Sequence, residues 1–181
     1  MLSAVLDEDT GNLTEYRKLM QKPKYRQLYC NSYAKEIGRL AQGMTGLVEG
    51  SNTTFLIDKQ DIPVNRWKYV TYGRVVVDYN PDKSNPYRKG LTVGGDRVNY
   101  PGDCGTPTMR LTTVKMLLNS IILTINAHFM TIDIKDFYLN NPMARSEYMH
   151  LKLSNLPDSV VQQYNLETKA TREGYVHVEI R

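Results

Sequence analysis

Hydrophobic and polar positions recur with two different periods along the chain, and the switches between them outline its elements. Between Pro23 and Gly43, the residues Leu28, Ala34, Ile37, Leu40 and Ala41 fall at helical steps behind an opening proline, which predicts a helix stopped near Gly43. The stretch Gly43–Asn52 holds three glycines among polar residues and reads as a loop, Thr53–Ile57 as a short strand and Asp61–Pro63 as a turn. Val70–Tyr79 is rich in β-branched and aromatic residues, Pro81–Pro86 supplies turn residues, and Tyr87–Val93 resumes the strand pattern. Together they predict an antiparallel hairpin. A second loop covers 94–105. Thr112 or Thr113 can then cap a helix to about Ile125, with Val114, Leu117, Leu118, Ile121 and Ile122 as a wide apolar stripe. His128–Ile134 alternates weakly and reads as a buried strand. Glu147–Leu153 alternates clearly, with Tyr148, His150 and Lys152 on a polar side and Met149, Leu151 and Leu153 on the apolar one. Pro157–Tyr164 reads as a short helix and Tyr175–Ile180 as a last strand.

Strands interrupted by a few helices, without βαβ regularity, predict an α+β fold with a mostly antiparallel sheet. No apolar run reaches the roughly 18 residues that span a bilayer, and the start turns acidic at once (Asp7, Glu8, Asp9), unlike a signal peptide. Cys30 and Cys104 are far apart without metal-ligand spacing, which suits a reducing compartment. These features predict an intracellular protein, cytoplasmic or nuclear, with no membrane partner. The net charge of +4 over 181 residues is mild, but it is unevenly placed. Residues 1–64 carry eight basic and eight acidic side chains, 65–103 carry seven and four, and 104–181 carry eight and seven. The excess therefore sits in the middle third, interleaved with Trp67, Tyr69, Tyr72, Tyr79, Tyr87 and Tyr100. Cations among rings suit a polyanion whose bases can stack, although a solvated sheet face has the same composition.

Candidate chemistry concentrates in Thr131-Ile-Asp-Ile-Lys-Asp-Phe-Tyr-Leu-Asn-Asn-Pro-Met143. An apolar strand there delivers Asp133, with Asp136 three residues on and Tyr138 five. A carboxylate at a strand end suits a hard divalent cation that shares its oxygens with substrate phosphates. A turn-forming Asp or a surface ion pair accounts for the same residues without any metal. His128, His150 and His177 have no ligand spacing and are read as residues at a strand start or on the polar side of strands. Gly94-Gly-Asp-Arg97 follows a strand but opens no helix, so it lacks the setting of a phosphate-binding glycine loop.

The segment Asp133-Ile-Lys-Asp-Phe-Tyr-Leu139 resembles the first catalytic motif of copia-type retrotransposon reverse transcriptases. The likeness continues in register through Thr71-Tyr-Gly-Arg-Val-Val-Val-Asp-Tyr79, Tyr87-Arg-Lys-Gly-Leu-Thr-Val-Gly-Gly-Asp-Arg-Val-Asn-Tyr-Pro-Gly-Asp103, Thr106-Pro-Thr108 and Thr113-Val-Lys-Met-Leu-Leu-Asn-Ser120. Glu147-Tyr-Met149 and Gly174-Tyr-Val-His-Val-Glu-Ile-Arg181 also fit. The resemblance implies an antiparallel fingers hairpin plus part of a polymerase palm sheet with packed helices, cut short, over residues 36–181. Residues 1–35 would be an N-terminal extension without an assigned role. It further implies Asp133 as a ligand of catalytic Mg²⁺, and Ile134, Asp136, Phe137 and Tyr138 around the incoming deoxynucleotide. The Tyr138 ring would clash with a 2′-hydroxyl and so select deoxyribose. Arg88, Lys89 and Arg97 would meet template or triphosphate. The implied partners are an RNA template, a DNA primer, deoxynucleotide triphosphates and the remainder of the polymerase or polyprotein.

The chain departs from the family pattern at Gly90, where a second Arg is usual, and at Met109 and Arg110, where Ala-Asp is usual. After Asp133 it contains no adjacent pair of acids. A two-metal site needs about three carboxylates to balance the ions and fill their oxygen shell. The expectation is thus a polymerase fragment inactive by itself, with a non-catalytic nucleic-acid-binding remnant as the alternative.

Overall fold

The computed structural model describes residues 4–99, 102, 108–134 and 137–181, which fall into two compact units. The first, Met1–Val98 with Leu139–Arg181, holds both sheets. It begins with a small antiparallel hairpin, β1 (Ala4–Asp7) and β2 (Asn12–Glu15), turned by Gly11 at a positive φ of 69° and followed by the single helical turn α1 (Tyr16–Leu19). The long helix α2 (Pro23–Leu40) opens on Pro23, as its sequence predicts. The expected boundary at residues 35/36 falls inside this helix.

The main sheet contains β3 (Thr54–Ile57), β4 (Thr71–Tyr79), β5 (Tyr87–Val93), β6 (Glu147–Lys152) and β7 (Tyr175–Ile180), in the order β3-β7-β6-β4-β5. Every neighbouring pair is antiparallel except β4 and β6, which run parallel through just two residue pairs, Thr71 with Met149 and Tyr72 with His150. The architecture is thus α+β with an antiparallel hairpin inside a mixed sheet. Helices α4 (Asp158–Gln163) and α5 (Leu166–Lys169) follow β6.

One sheet face packs on the helices. Tyr33, Ala34 and Ile37 of α2 meet Leu56, Met149, Leu151, Val176 and Val178 of the strands together with Val160 and Leu166. Fully burying each such side chain contributes about 1.5–3 kcal/mol. A second cluster joins Val5, Leu19, Tyr25, Tyr29 and Tyr87. The buried stripe of α2 is therefore tyrosine at every fourth position (25, 29, 33), a pattern hidden by the polar label of that residue. The Tyr87 ring meets Tyr25 and Tyr29 edge-on, at 5.7 and 5.6 Å between centroids. In the turn after β1, the Glu8 carboxylate accepts hydrogen bonds from the Tyr79 and Tyr87 hydroxyls. Asp7, 2% exposed, accepts from Lys22 at 2.7 Å and from the Tyr25 hydroxyl at 3.0 Å.

The second unit is Asn99–Tyr138. Its helix α3 (Leu111–Leu123) starts before the Thr112 or Thr113 cap that the sequence offers; Arg110 takes the cap position without a side-chain bond. No α3 residue is buried: of the predicted stripe, Leu117, Leu118 and Ile122 are 46%, 41% and 79% exposed, and Val114 and Ile121 are half-buried. The strand expected at His128–Ile134 does not form. That stretch is irregular and exposed, because an extended segment gains its hydrogen bonds only from a neighbour, and no described strand pairs with it.

Candidate nucleic-acid interface and acidic segment

Strand alternation sorts the side chains of the β4–β5 hairpin onto two faces. Val75, Val77, Tyr79, Tyr87, Lys89 and Leu91 share the face that joins the two hydrophobic clusters or packs on α2. Tyr72, Arg74, Val76, Asp78, Arg88 and Thr92 share the other. There Arg74, Val76, Asp78, Arg88 and Thr92 are exposed. Arg88 stands directly across the ladder from Asp78, and Arg74 across from Thr92.

Arg74 donates to the Tyr72 hydroxyl at 3.0 Å, and its guanidinium carbon lies 4.7 Å from the centroid of the same ring. Tyr72 in turn donates to Asp96, which with burial holds the phenol above its usual range, against the opposing charges of Arg74 and Arg97. The turn carrying Asp96 and Arg97 is fastened to β4 by the Thr71 hydroxyl, which donates to the Gly94 carbonyl. A Cβ at 94 would stand 2.6 Å from Cζ of Tyr72, so glycine there lets the ring pack against the turn where it stands. Three arginines (74, 88 and 97) and a half-buried tyrosine thus gather on one open sheet face, offset by Asp78 and Asp96. Such a face supplies cations for phosphates and a ring for a base or sugar.

Among the expected contact residues, Arg88 and Arg97 belong with this face and Lys89 does not. Being odd-numbered on the same strand, Lys89 points the other way. It is 7% exposed, its Nζ lies 4.3 Å from the Tyr33 centroid, and its backbone N–H donates to Ser32 Oγ at 3.1 Å. A polyanion lying along Arg88 does not meet it. Sequence reasoning missed Arg74 and Tyr72 as a stacked pair; the signal available was their i, i+2 spacing on one strand.

His150 and His177, expected on a polar side, are half-buried and buried. They are direct cross-strand partners with ring centroids 6.4 Å apart, and His150 also meets Tyr175 edge-on at 4.9 Å. Burial holds both below the ordinary histidine range, helped by the charges of Arg97 at His150 and of His150 and Lys59 at His177.

In the second unit, Asp133, Ile134 and Phe137 are exposed; Ile134 is 60% and Phe137 52% accessible. Asp136 and the Tyr138 side chain lie outside the described residues. Phe137–Asn140 forms a 3₁₀ turn. Among the described residues no group of three or more His, Cys, Asp or Glu could hold a metal ion. No described helix is long and apolar enough to cross a membrane. No family model, curated protein or solved structure matches the chain.

Proposed function

We propose that the chain is the fingers and first part of the palm of a copia-type reverse transcriptase, and that the open β4–β5 face meets the template–primer. The placement of Arg74, Arg88 and Arg97 on one exposed face, with Arg74 and Arg97 beside Tyr72, carries this reading. The ordered motif series from Thr71 to Arg181 supports the family part. The reaction of that family is templated nucleotidyl transfer, in which bound divalent ions neutralise charge on the reacting phosphate. With no adjacent pair of acids after Asp133 to complete a two-metal site, this chain alone binds nucleic acid and does not extend a primer.

Binding of single-stranded RNA and of an RNA–DNA hybrid, titrated across salt concentrations, tests the interface. Affinity should fall steeply with salt, and Arg74→Gln or Arg88→Gln should each flatten the log–log slope by about 0.7–0.9. A flat response, or slopes unchanged by both substitutions, rejects the interface. The family part is tested separately by the coding sequence beyond codon 181. It should encode a Gly-Leu-Pro-Gln-like segment and then paired aspartates, and unrelated sequence there rejects the polymerase while leaving the binding face standing.

A further inference from the structure

Lys89 has a different setting from the arginines. Beyond Tyr72, β4 has no described strand partner on its β6 side, so the sheet opens. The gap is a cavity of about 1070 Å³, walled by the first half of α2, by Gly73–Val75 and by the turn from Ser154 to Ser159. This is room for a ligand at the upper end of the usual small-molecule range. Lys89 lines it from β5, and Arg26, Cys30 and Asn31 line it from α2, with Asp158 opposite. Arg74 also borders the cavity, but its guanidinium is stacked on Tyr72, on the other face. Arg26 is exposed at the wall and is the cation left to draw an anion inward.

We propose that Lys89 is a covalent capture site for small anionic aldehydes that enter this cavity. The amine nitrogen adds its lone pair to the carbonyl carbon, and the carbonyl π pair moves to oxygen. A proton passes from nitrogen to oxygen to give a carbinolamine. Loss of water then leaves a carbon–nitrogen double bond, so amine plus aldehyde gives imine plus water with no oxidant or reductant. Only an uncharged amine can begin this step. Burial in the cavity wall supplies one by disfavouring the ammonium, which outweighs the opposite influence of nearby Cys30 and holds Lys89 below the ordinary lysine range. The Tyr33 ring under Nζ restrains the side chain.

Pyridoxal 5′-phosphate is a suitable reagent, because it joins an aldehyde to a phosphate, and pyridoxal is its uncharged-tail counterpart. The full chain is exposed briefly to each, reduced with borohydride, and its lysines are mapped by mass spectrometry. Lys89 should be trapped several-fold faster than the exposed Lys83, and faster by the phosphate-bearing aldehyde than by pyridoxal. Arg26→Gln should remove that second preference and leave the pyridoxal rate unchanged. Lys89 labelled no faster than Lys83 in the unaltered chain overturns the capture site, and equal rates for the two aldehydes overturn its anionic selectivity. Arg88→Gln, on the opposite face, should leave both rates as they are, so failure here is distinguishable from failure of the nucleic-acid interface.

Discussion

Replacing Glu147 by glutamine tests whether the sheet is anchored by a buried charge. Glu147 is the first residue of β6 and its side chain is 7% exposed. One carboxylate oxygen accepts from Nη2 of Arg66 at 2.5 Å and the other from Nη2 of Arg145 at 2.7 Å. The Arg66 side chain is 12% exposed, comes from the 3₁₀ segment Val64–Tyr69, and also donates to the Ser146 carbonyl at 3.3 Å. Arg145 is 39% exposed, so its share is closer to that of a surface pair, at most about 1 kcal/mol. The Arg66 pair dominates, because glutamine keeps the shape of Glu147 but leaves the guanidinium buried without its counter-charge. Breaking one partner of a buried pair costs about 3–5 kcal/mol. For a chain of this size each kcal/mol moves the thermal midpoint by about 2–4 °C, so Glu147→Gln should lower Tm by about 6–20 °C. Circular-dichroism melts and urea titrations measure this, with an unchanged urea dependence showing that the denatured state is not altered. The double replacement Arg66→Met with Glu147→Leu should recover most of the loss, since an apolar pair needs no desolvated charges. A loss below about 1 kcal/mol for Glu147→Gln would refute the argument, because it would place the pair in effectively aqueous surroundings.

Two further outcomes concern a glycine contact and the buried titratable groups. A Cβ on Gly50 would stand 2.2 Å from the Ala41 carbonyl oxygen and 2.3 Å from the Gly43 nitrogen, both backbone atoms that cannot swing aside. Gly50→Ala should therefore force the loop after α2 apart and cost more than the roughly 1 kcal/mol typical of a single substitution, read as a lower urea midpoint. Stability against pH should fall in two steps. The depressed His150 and His177 contribute fully above the unfolded histidine value of about 6.5, and that contribution is lost as pH drops through their lower folded values. Asp7, held down to about 2 chiefly by the Lys22 ammonium, contributes above the unfolded carboxylate value and loses it between there and about pH 2. His177→Phe should reduce the upper step and leave the lower one, and an unchanged upper step in pH-dependent melts would show that the histidine pair does not titrate on unfolding.

The sequence by itself determined the elements whose signals are local. Pro23 with helical spacing marks α2, and β-branched runs around Pro81–Pro86 mark β4 and β5. The Tyr175–Ile180 alternation marks β7 to the residue. Local signals suffice there because turn chemistry and side-chain period are properties of neighbouring residues. The regional charge count likewise located the basic face within 65–103. Only the tertiary structure decided which cations share it. Arg88 and Lys89 are adjacent in sequence, yet the pleat sends one to solvent and the other under α2, and nothing local says which side a helix will cover. The same holds for Tyr25, Tyr29 and Tyr33, polar by label and fully buried by their place on α2. His128–Ile134 shows the converse: its apolar pattern reads as a strand, but strand formation requires a hydrogen-bonding neighbour, and a neighbour is a property of the fold.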